Sequence, residues 1–150
     1  MKKEEKTSGI EWNKEGWSDL SAVSNEVISD RWMKNIYANG DVTMSDRYTG
    51  LMWLYNANSC CATNWDAAVR YCDDLTYAGY TDWRLPDEDT IAEQYRRKGY
   101  FAGVQNGCYW SGMSGVDNTD RAWVGDMNGP ARHLFYKTSS NYVWPVRGGR

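Results

Sequence analysis

Side chains able to bind a charged ligand are concentrated in the last third of the chain. Five of them lie in turns and short strand patterns there: Arg121, Arg132, His133, Tyr136 and Lys137. Arginine and lysine make charge-assisted hydrogen bonds to carboxylate and sulfate groups, and aromatic rings pack against the C–H faces of sugars. We therefore predict that these five residues form a ligand-binding site, with a glycan as the candidate ligand.

The charge distribution is compatible with an anionic ligand in this part of the chain. Residues 1–95 carry 9 Lys and Arg against 17 Asp and Glu, a net charge of −8, whereas residues 96–150 carry 8 against 3, a net charge of +5. The whole chain has a net charge of −3, which argues against a nucleic-acid-binding protein. A sulfated or carboxylated glycan suits the basic last third.

The sequence gives little evidence for a set of catalytic residues. His133 is the only histidine, and no motif around it supplies the activated thiol or the oxyanion hole that Cys–His catalysis requires. The acids Asp117, Asp120 and Asp126 have no spacing that distinguishes paired catalytic carboxylates from solvated loop residues. Their oxygens offer calcium ligands as an alternative, although the loop lacks EF-hand spacing. We therefore predict a non-catalytic protein that needs no cofactor.

Four cysteines bear on the cellular compartment: Cys60, Cys61, Cys72 and Cys108. The sequence contains no Cys-x-x-Cys pair, which argues against a structural zinc site. An even number of cysteines in a small chain is typical of disulfides and an oxidising compartment. We predict that Cys60 or Cys61 pairs with Cys72 or Cys108, because adjacent cysteines seldom bond to each other. Reduced, buried thiols are the alternative.

The first part of the chain combines a charged tip with candidate helix and strand segments. Residues 1–9 are charged and small, which predicts disorder at the tip. Apolar residues recur loosely at helical spacing over residues 20–32, which predicts a short helix. An alternating segment and a second strand pattern on either side of a turn predict a β-hairpin over residues 41–56.

The most regular pattern in the sequence predicts a helix from Trp65 to Leu75. Apolar residues recur there at helical spacing. Thr63 and Asp66 fit a capping box at its start, and Gly79 closes the helical region.

A second helix is predicted over residues 87–98. Acidic residues crowd its start, and Arg96, Arg97 and Lys98 fill its last turn, in agreement with the helix dipole. We therefore interpret this basic triplet as a helix end and not as a ligand patch. Short strand patterns over residues 107–149 complete an α+β fold, in which two helices are framed by short, mostly antiparallel strands.

The stretch GYTDWRLPDEDT before the second helix admits a structural and a functional interpretation. It places Trp83 between the opposite charges of Asp82 and Arg84. This arrangement favours an internal Asp–Arg or Arg–carbonyl network that locks the turn, with Pro86 at a permitted position for a helix start. In the functional alternative, Arg84 binds an acidic ligand. We predict the structural role.

Several motifs follow one another in the order of a known bacterial family. They are NGDVTMSDRYTGLMW (39–53), NWDAAVRYCDDL (64–75), GYTDWRLPDEDTI (79–91), YWSG (109–112), AWVGDMNG (122–129) and YVWPVRGG (142–149). On these motifs the chain resembles the C-terminal domain family of the collagen-like adhesin Lcl over roughly residues 37–149. The family often carries a cysteine in its closing strand, where this chain has Trp144 and Pro145.

The resemblance implies a C-type-lectin-like fold and a role in adhesion to sulfated polysaccharides. It also implies an extracellular, cell-surface or periplasmic location, and trimerisation by kinship alone. We expect an N-terminal extension over residues 1–36, partly disordered, and a domain over residues 37–150. The predicted function is a non-catalytic, exported binding module for glycans. The alternative is a protein-interaction or architectural module of a larger surface or phage-related assembly. No apolar run reaches membrane-span length, so no membrane span is predicted.

Overall fold

Short antiparallel strands and two helices form a loop-rich α+β fold, which confirms the predicted fold class. The computed structural model describes residues 10–13 and 16–149. The strands are β1 Ile10–Asn13, β2 Gly16–Asp19, β3 Ser24–Val27, β4 Trp32–Ile36, β5 Val42–Asp46, β6 Leu51–Leu54, β7 Cys108–Ser114, β8 Arg121–Asp126, β9 Arg132–Tyr136 and β10 Val146–Gly148. The helices are α1 Trp65–Asp74, α2 Glu88–Glu93 and the 3-10 helix Gln94–Tyr100, which continues α2. The C-type-lectin-like arrangement stays a prediction.

A five-stranded antiparallel sheet in the order β10-β6-β5-β4-β3 organises the first half of the chain. The predicted hairpin is confirmed as β5 and β6, in which Thr43 lies opposite Leu54 and Ser45 opposite Met52. The closing strand β10 pairs with β6, so the end of the chain returns to the hairpin. Strands β7, β8 and β9 form a separate three-stranded sheet, and β1 pairs with β2.

The helix predicted over residues 20–32 is wrong, because this segment forms β3, a turn and the start of β4. Leu20, Val23 and Val27 are exposed, whereas Trp32 is buried. The apolar residues therefore do not share one buried face, which a helix of this spacing would need. The sheet continues across the domain boundary expected at residue 37, and that boundary stays a prediction. The tip at residues 1–9 lies outside the described residues.

The helix predicted from Trp65 to Leu75 is confirmed as α1, with a different N-cap. Its N-cap is Asn64 and not Thr63, because the Asn64 side chain accepts a hydrogen bond from the backbone N–H of Ala67. The helix ends at the cap Leu75, before the predicted Gly79. The second predicted helix is confirmed as α2, and Asp87 caps it by accepting from the N–H of Thr90.

The turn before α2 is locked by internal arginine contacts, which confirms its structural interpretation. The carboxylate of Asp82 accepts from Nε and Nη2 of Arg147 in β10, at 2.6 and 3.0 Å. Arg84 donates from Nη2 to the carbonyl of Gly148 at 2.7 Å. The indole of the buried Trp83 donates to the carbonyl of Tyr77 at 3.2 Å. An ion pair therefore joins Asp82 to the closing strand.

Aromatic rings fill the core between the five-stranded sheet and the second half of the chain. Trp144 contacts Trp53 and Phe101 edge to face, with ring centroids 5.2 and 4.9 Å apart. Phe101 also packs edge to face on Trp32, at 5.5 Å. The Trp144 indole donates to the carbonyl of Leu54 at 3.0 Å. These tryptophans support the scaffold, since aromatic pairs in this geometry stabilise a core beyond their buried area.

All four cysteines lie in the described part of the chain, and all four are free. The predicted bond between Cys60 or Cys61 and Cys72 or Cys108 is therefore absent from the structure. The Sγ atoms of Cys60 and Cys61 lie 2.6 Å apart, so these two thiols contact each other. Cys72 is buried in α1, and burial raises the pKa of its thiol to about 12.

Gly125 in β8 lets α2 pack directly on the three-stranded sheet. A Cβ at this position would lie 2.8 Å from the carbonyl carbon of Ile91 and 2.9 Å from the backbone nitrogen of Ala92. We expect Gly125→Ala to lower the free energy of unfolding by about 1–3 kcal/mol, because backbone atoms must move to admit the methyl group. Chemical denaturation measures this loss.

Gly129 supplies the matched control for that substitution. A Cβ there would meet nothing within 4 Å, so Gly129→Ala is expected to leave the unfolding free energy within about 0.5 kcal/mol of the wild type. Equal losses in the two variants would contradict the packing of α2 against Gly125.

Candidate functional site

The structure divides the five predicted site residues between two faces of the late sheet. In the β8–β9 pairing, Arg121 lies opposite Tyr136, Gly125 opposite Arg132, and Val124 opposite His133. Because side chains alternate along a strand, Arg121, Arg132 and Tyr136 share one face and His133 lies on the other. The five residues therefore do not converge on one site, and their role in binding stays a prediction.

The first face carries an arginine–tyrosine pair. The guanidinium of Arg121 lies 4.3 Å from the ring centroid of Tyr136, and its Nη2 donates to the Tyr136 hydroxyl at 2.8 Å. The Nε of Arg121 is buried and has no hydrogen-bond partner among the described residues. Arg121 thus keeps one donor that no described acceptor uses.

The charge of Arg132, on the same face, is paired with carboxylates of α2. Its Nη1 donates to the carboxylate of Glu88 at 2.9 Å and to the carboxylate of Asp89. Its guanidinium also lies 5.2 Å from the ring centroid of Trp123. An anionic ligand would have to displace two carboxylates to reach this guanidinium.

His133 and Lys137 are engaged on the opposite face. The Nε2 of His133 lies 3.3 Å from a carboxylate oxygen of Asp126, and its ring stacks on Phe135. The ammonium of Lys137 lies 4.1 Å from the ring centroid of Trp65 at the start of α1. Both side chains therefore have partners within the protein and lie away from Arg121.

A second basic surface, which the sequence analysis missed, lies at the other side of α2. We call it the arginine–tyrosine cleft; its volume is about 360 Å³. Three parts of the chain line it: the β3–β4 turn and the start of β4, the β5–β6 turn, and the 3-10 helix. The residues used below are Arg31, Trp32, Tyr48, Arg96, Arg97 and Tyr100.

Arg31 is the fixed cation of this cleft. Its Nε and Nη2 donate to the two carboxylate oxygens of Asp46, both at 2.7 Å. This hydrogen bond raises the pKa of the Arg31 guanidinium above its usual value, so the side chain stays charged. The guanidinium also lies 5.1 Å from the ring of Trp32 and 5.0 Å from the ring of Tyr48. Arg31 therefore holds the walls of the cleft in place.

Arg96 and Arg97 are the cations that remain for a ligand. Among the described residues, Arg97 has neither a hydrogen bond nor an ion pair, and Arg96 reaches only the exposed carboxylate of Glu93, at 3.4 Å. The flanking rings are accessible as well, since Tyr48 is 70% and Tyr100 is 42% exposed. The cleft can thus offer guanidinium donors and ring faces to the same ligand.

Arg97 and Lys98 lie in the last turn of the 3-10 helix, as the predicted helix end requires, and Lys98 also has a contact outside the helix. Its ammonium donates to the carbonyl of Met127 at 2.8 Å and lies 4.9 Å from the ring of Tyr95. The sequence offers no local signal for the cleft, because Tyr48 and Trp32 reach Arg97 only through the packing of the sheet against α2 and the 3-10 helix. Tertiary structure alone reveals this site.

The described residues hold no group of three or more His, Cys, Asp or Glu side chains placed to bind a metal ion. They also include no helix that is long and apolar enough to cross a membrane.

The comparisons with known proteins give one match. No curated protein matches the chain. Residues 42–147 match the family described as the Lcl C-terminal domain. The matched region begins with β5 and ends within β10, and it includes both helices and the late sheet. Because this region is more than half of the sequence, the chain belongs to the Lcl C-terminal domain family.

Proposed function

We propose that this protein is a non-catalytic, surface-associated adhesion module that binds acidic glycans in the arginine–tyrosine cleft. The observation that carries the proposal is the pair formed by the exposed Arg96 and the half-buried Arg97, beside the accessible rings of Tyr48 and Tyr100. Membership of the Lcl C-terminal domain family supports a surface-associated role.

Binding in this cleft would combine charge with stacking. A sulfate or carboxylate group accepts hydrogen bonds from a guanidinium in a planar, two-point geometry, which suits Arg97. The neighbouring tyrosine rings present apolar faces to sugar C–H groups and hydroxyls to sugar oxygens. Because Arg96 is exposed and Arg97 is only half-buried, dissolved salt screens their attraction to the ligand.

The Arg121–Tyr136 pair on the late sheet is a second contact surface within the same proposal. The half-buried Arg121 guanidinium and the exposed Tyr136 ring offer contacts to a further acidic group of a long glycan, although the Arg121 Nε itself is buried. We assign it a smaller share of the affinity, because the neighbouring Arg132 is held by two carboxylates.

The test compares charge-removing variants against a sulfated heparin hexasaccharide. We expect Arg96→Gln with Arg97→Gln to weaken binding about tenfold, because two exposed ion pairs together contribute on the order of 1–2 kcal/mol. Isothermal titration calorimetry measures the affinity. Raising the ionic strength from about 0.01 M to about 0.15 M should weaken wild-type binding, because the Debye length falls from about 30 Å to about 8 Å.

Arg70 provides the control for loss of positive charge. It is an exposed arginine on α1, outside both candidate surfaces. Arg70→Gln is expected to bind the hexasaccharide like the wild type. A neutral maltohexaose should not compete for the site. If the Arg96 and Arg97 variant binds as tightly as Arg70→Gln, the cleft is not the glycan site.

A further inference from the structure

A smaller cleft lies beside the arginine–tyrosine cleft, between the β5–β6 hairpin and α2. Its volume is about 170 Å³. Leu51 and Trp53 of β6 line it on one side, and Thr90 and Gln94 line it on the other. It shares Arg97 with the larger cleft, so a ligand can approach from the same surface.

Two buried hydrogen-bond donors distinguish this smaller cleft. The side chains of Trp53 and Gln94 are 1% and 3% exposed, and both line it. Neither the indole Nε1 of Trp53 nor the amide Nε2 of Gln94 has a hydrogen-bond partner among the described residues. Buried donors in native proteins are nearly always paired, so two unpaired donors at one cleft indicate an acceptor that the chain itself does not supply.

Four other buried or half-buried indoles show one way in which this protein pairs such donors. They donate to backbone carbonyls: Trp65 to Ser111, Trp83 to Tyr77, Trp110 to Thr63 and Trp144 to Leu54. Trp53 departs from this pattern although it belongs to the same aromatic core. The departure therefore calls for a specific explanation at the cleft.

The charged side chains around the smaller cleft do not favour a charged ligand. Arg31 and Asp46 neutralise each other, and the carboxylate of Asp89 accepts from an arginine of β9. Arg97 and Glu93 line the cleft together with opposite charges. An uncharged ligand with oxygen acceptors binds beside these groups without adding a charge of its own.

The volume sets the size of that ligand. An engineered apolar cavity of about 150 Å³ holds one benzene molecule, so a cleft of about 170 Å³ accommodates one six-membered ring. We propose that the smaller cleft binds one uncharged pyranose unit, with Trp53 Nε1 and Gln94 Nε2 donating to its oxygens and Leu51 contacting its apolar face. This site stands independently of acidic-glycan binding, because it uses different donors and a neutral ligand.

The direct test observes the two donors in the full-length, nitrogen-15-labelled chain. The probes are methyl α-D-glucopyranoside, methyl β-D-galactopyranoside and methyl N-acetyl-β-D-glucosaminide, each titrated separately. The Trp53 indole signal is assigned with Trp53→Phe, and the Gln94 amide signals with Gln94→Met. We expect at least one sugar to shift both sets of signals in a saturable manner. The indole signal of Trp65, which donates to Ser111, should stay in place.

A variant that removes one donor completes the test. Gln94→Met keeps the length of the side chain, and we expect it to weaken binding of the active sugar about tenfold, because one hydrogen bond is lost. Gln105→Met is the matched control, since the Gln105 amide donates to Gly103 away from the cleft. The proposal is overturned if no sugar shifts the Trp53 and Gln94 signals, if all indole signals shift alike, or if a folded Gln94→Met chain keeps wild-type affinity. The wild-type titration decides the matter even if Gln94→Met does not fold.

Discussion

Replacing Asp82 with Asn is expected to lower the free energy of unfolding by about 3 kcal/mol, the low end for leaving a buried charge unpaired, because the Asp82 side chain itself is 37% exposed. Arg147 is only 2% exposed and donates twice to the Asp82 carboxylate. Asparagine keeps the side-chain volume but removes the charge, so the guanidinium stays buried without a counter-ion. At roughly 3 °C per kcal/mol for a chain of this size, calorimetry should record a fall in Tm of about 10 °C.

Arg84 provides a comparison variant, because its side chain donates to a backbone carbonyl and its replacement leaves no buried charge without a counter-ion. It lies two positions from Asp82 and is half-buried, and it donates to the carbonyl of Gly148. We expect Arg84→Gln to cost only about 1 kcal/mol, as is typical for one hydrogen bond. If Asp82→Asn unfolds at the wild-type temperature, Arg147 does not depend on this carboxylate, and the lock between the turn and β10 must lie elsewhere.

A fragment that begins at residue 37 is expected not to fold cooperatively. It lacks β3 and β4, and β4 is an inner strand that pairs with both β3 and β5. Trp32 is buried against Phe101, and losing a buried Trp side chain costs about 3–5 kcal/mol, a large part of the 5–15 kcal/mol that stabilises a domain. Far-ultraviolet circular dichroism and thermal unfolding measure the loss.

The control for this truncation is a fragment that begins at residue 10. It keeps every strand that the structure describes, so a sharp unfolding transition is expected. A cooperative transition in the fragment that begins at residue 37 would instead show that β4 adds to a domain already stable without it. The measurement thus tests directly whether the domain begins at residue 37.

Local patterns were sufficient for the hairpin and for α1. Residues 41–56 hold an alternating segment, a turn and a second strand pattern, and this order specifies two paired strands before any distant contact forms. Trp65–Asp74 follow helical spacing behind a polar cap. The sequence analysis predicted Thr63 as the cap, whereas the structure uses Asn64. Both side chains can accept a hydrogen bond from a backbone N–H, and the direction in which the chain enters the helix decides which of them does so.

Local patterns failed where a distant partner overrides them. The segment 20–32 has loosely helical spacing, but β4 gains more by pairing with β5 and burying Trp32 than a short helix could gain from Leu20 and Val23, which stay exposed. Helix propensity is a weak preference that tertiary contacts often overcome. The predicted disulfide failed for a similar reason. The number of cysteines indicates a cellular compartment, but it does not give the distances between the thiols.

By itself, the sequence determined the α+β class, the two middle helices and the family, because repeated spacing and ordered motifs are properties of the chain. Only the tertiary structure decided which charged side chains are paired and which are left for a ligand. The charge of Arg132 is paired with Glu88 and Asp89, whereas Arg97, beside Tyr48, has no described partner. Charge pairing depends on distances across elements far apart in sequence, and spacing along the chain does not encode those distances.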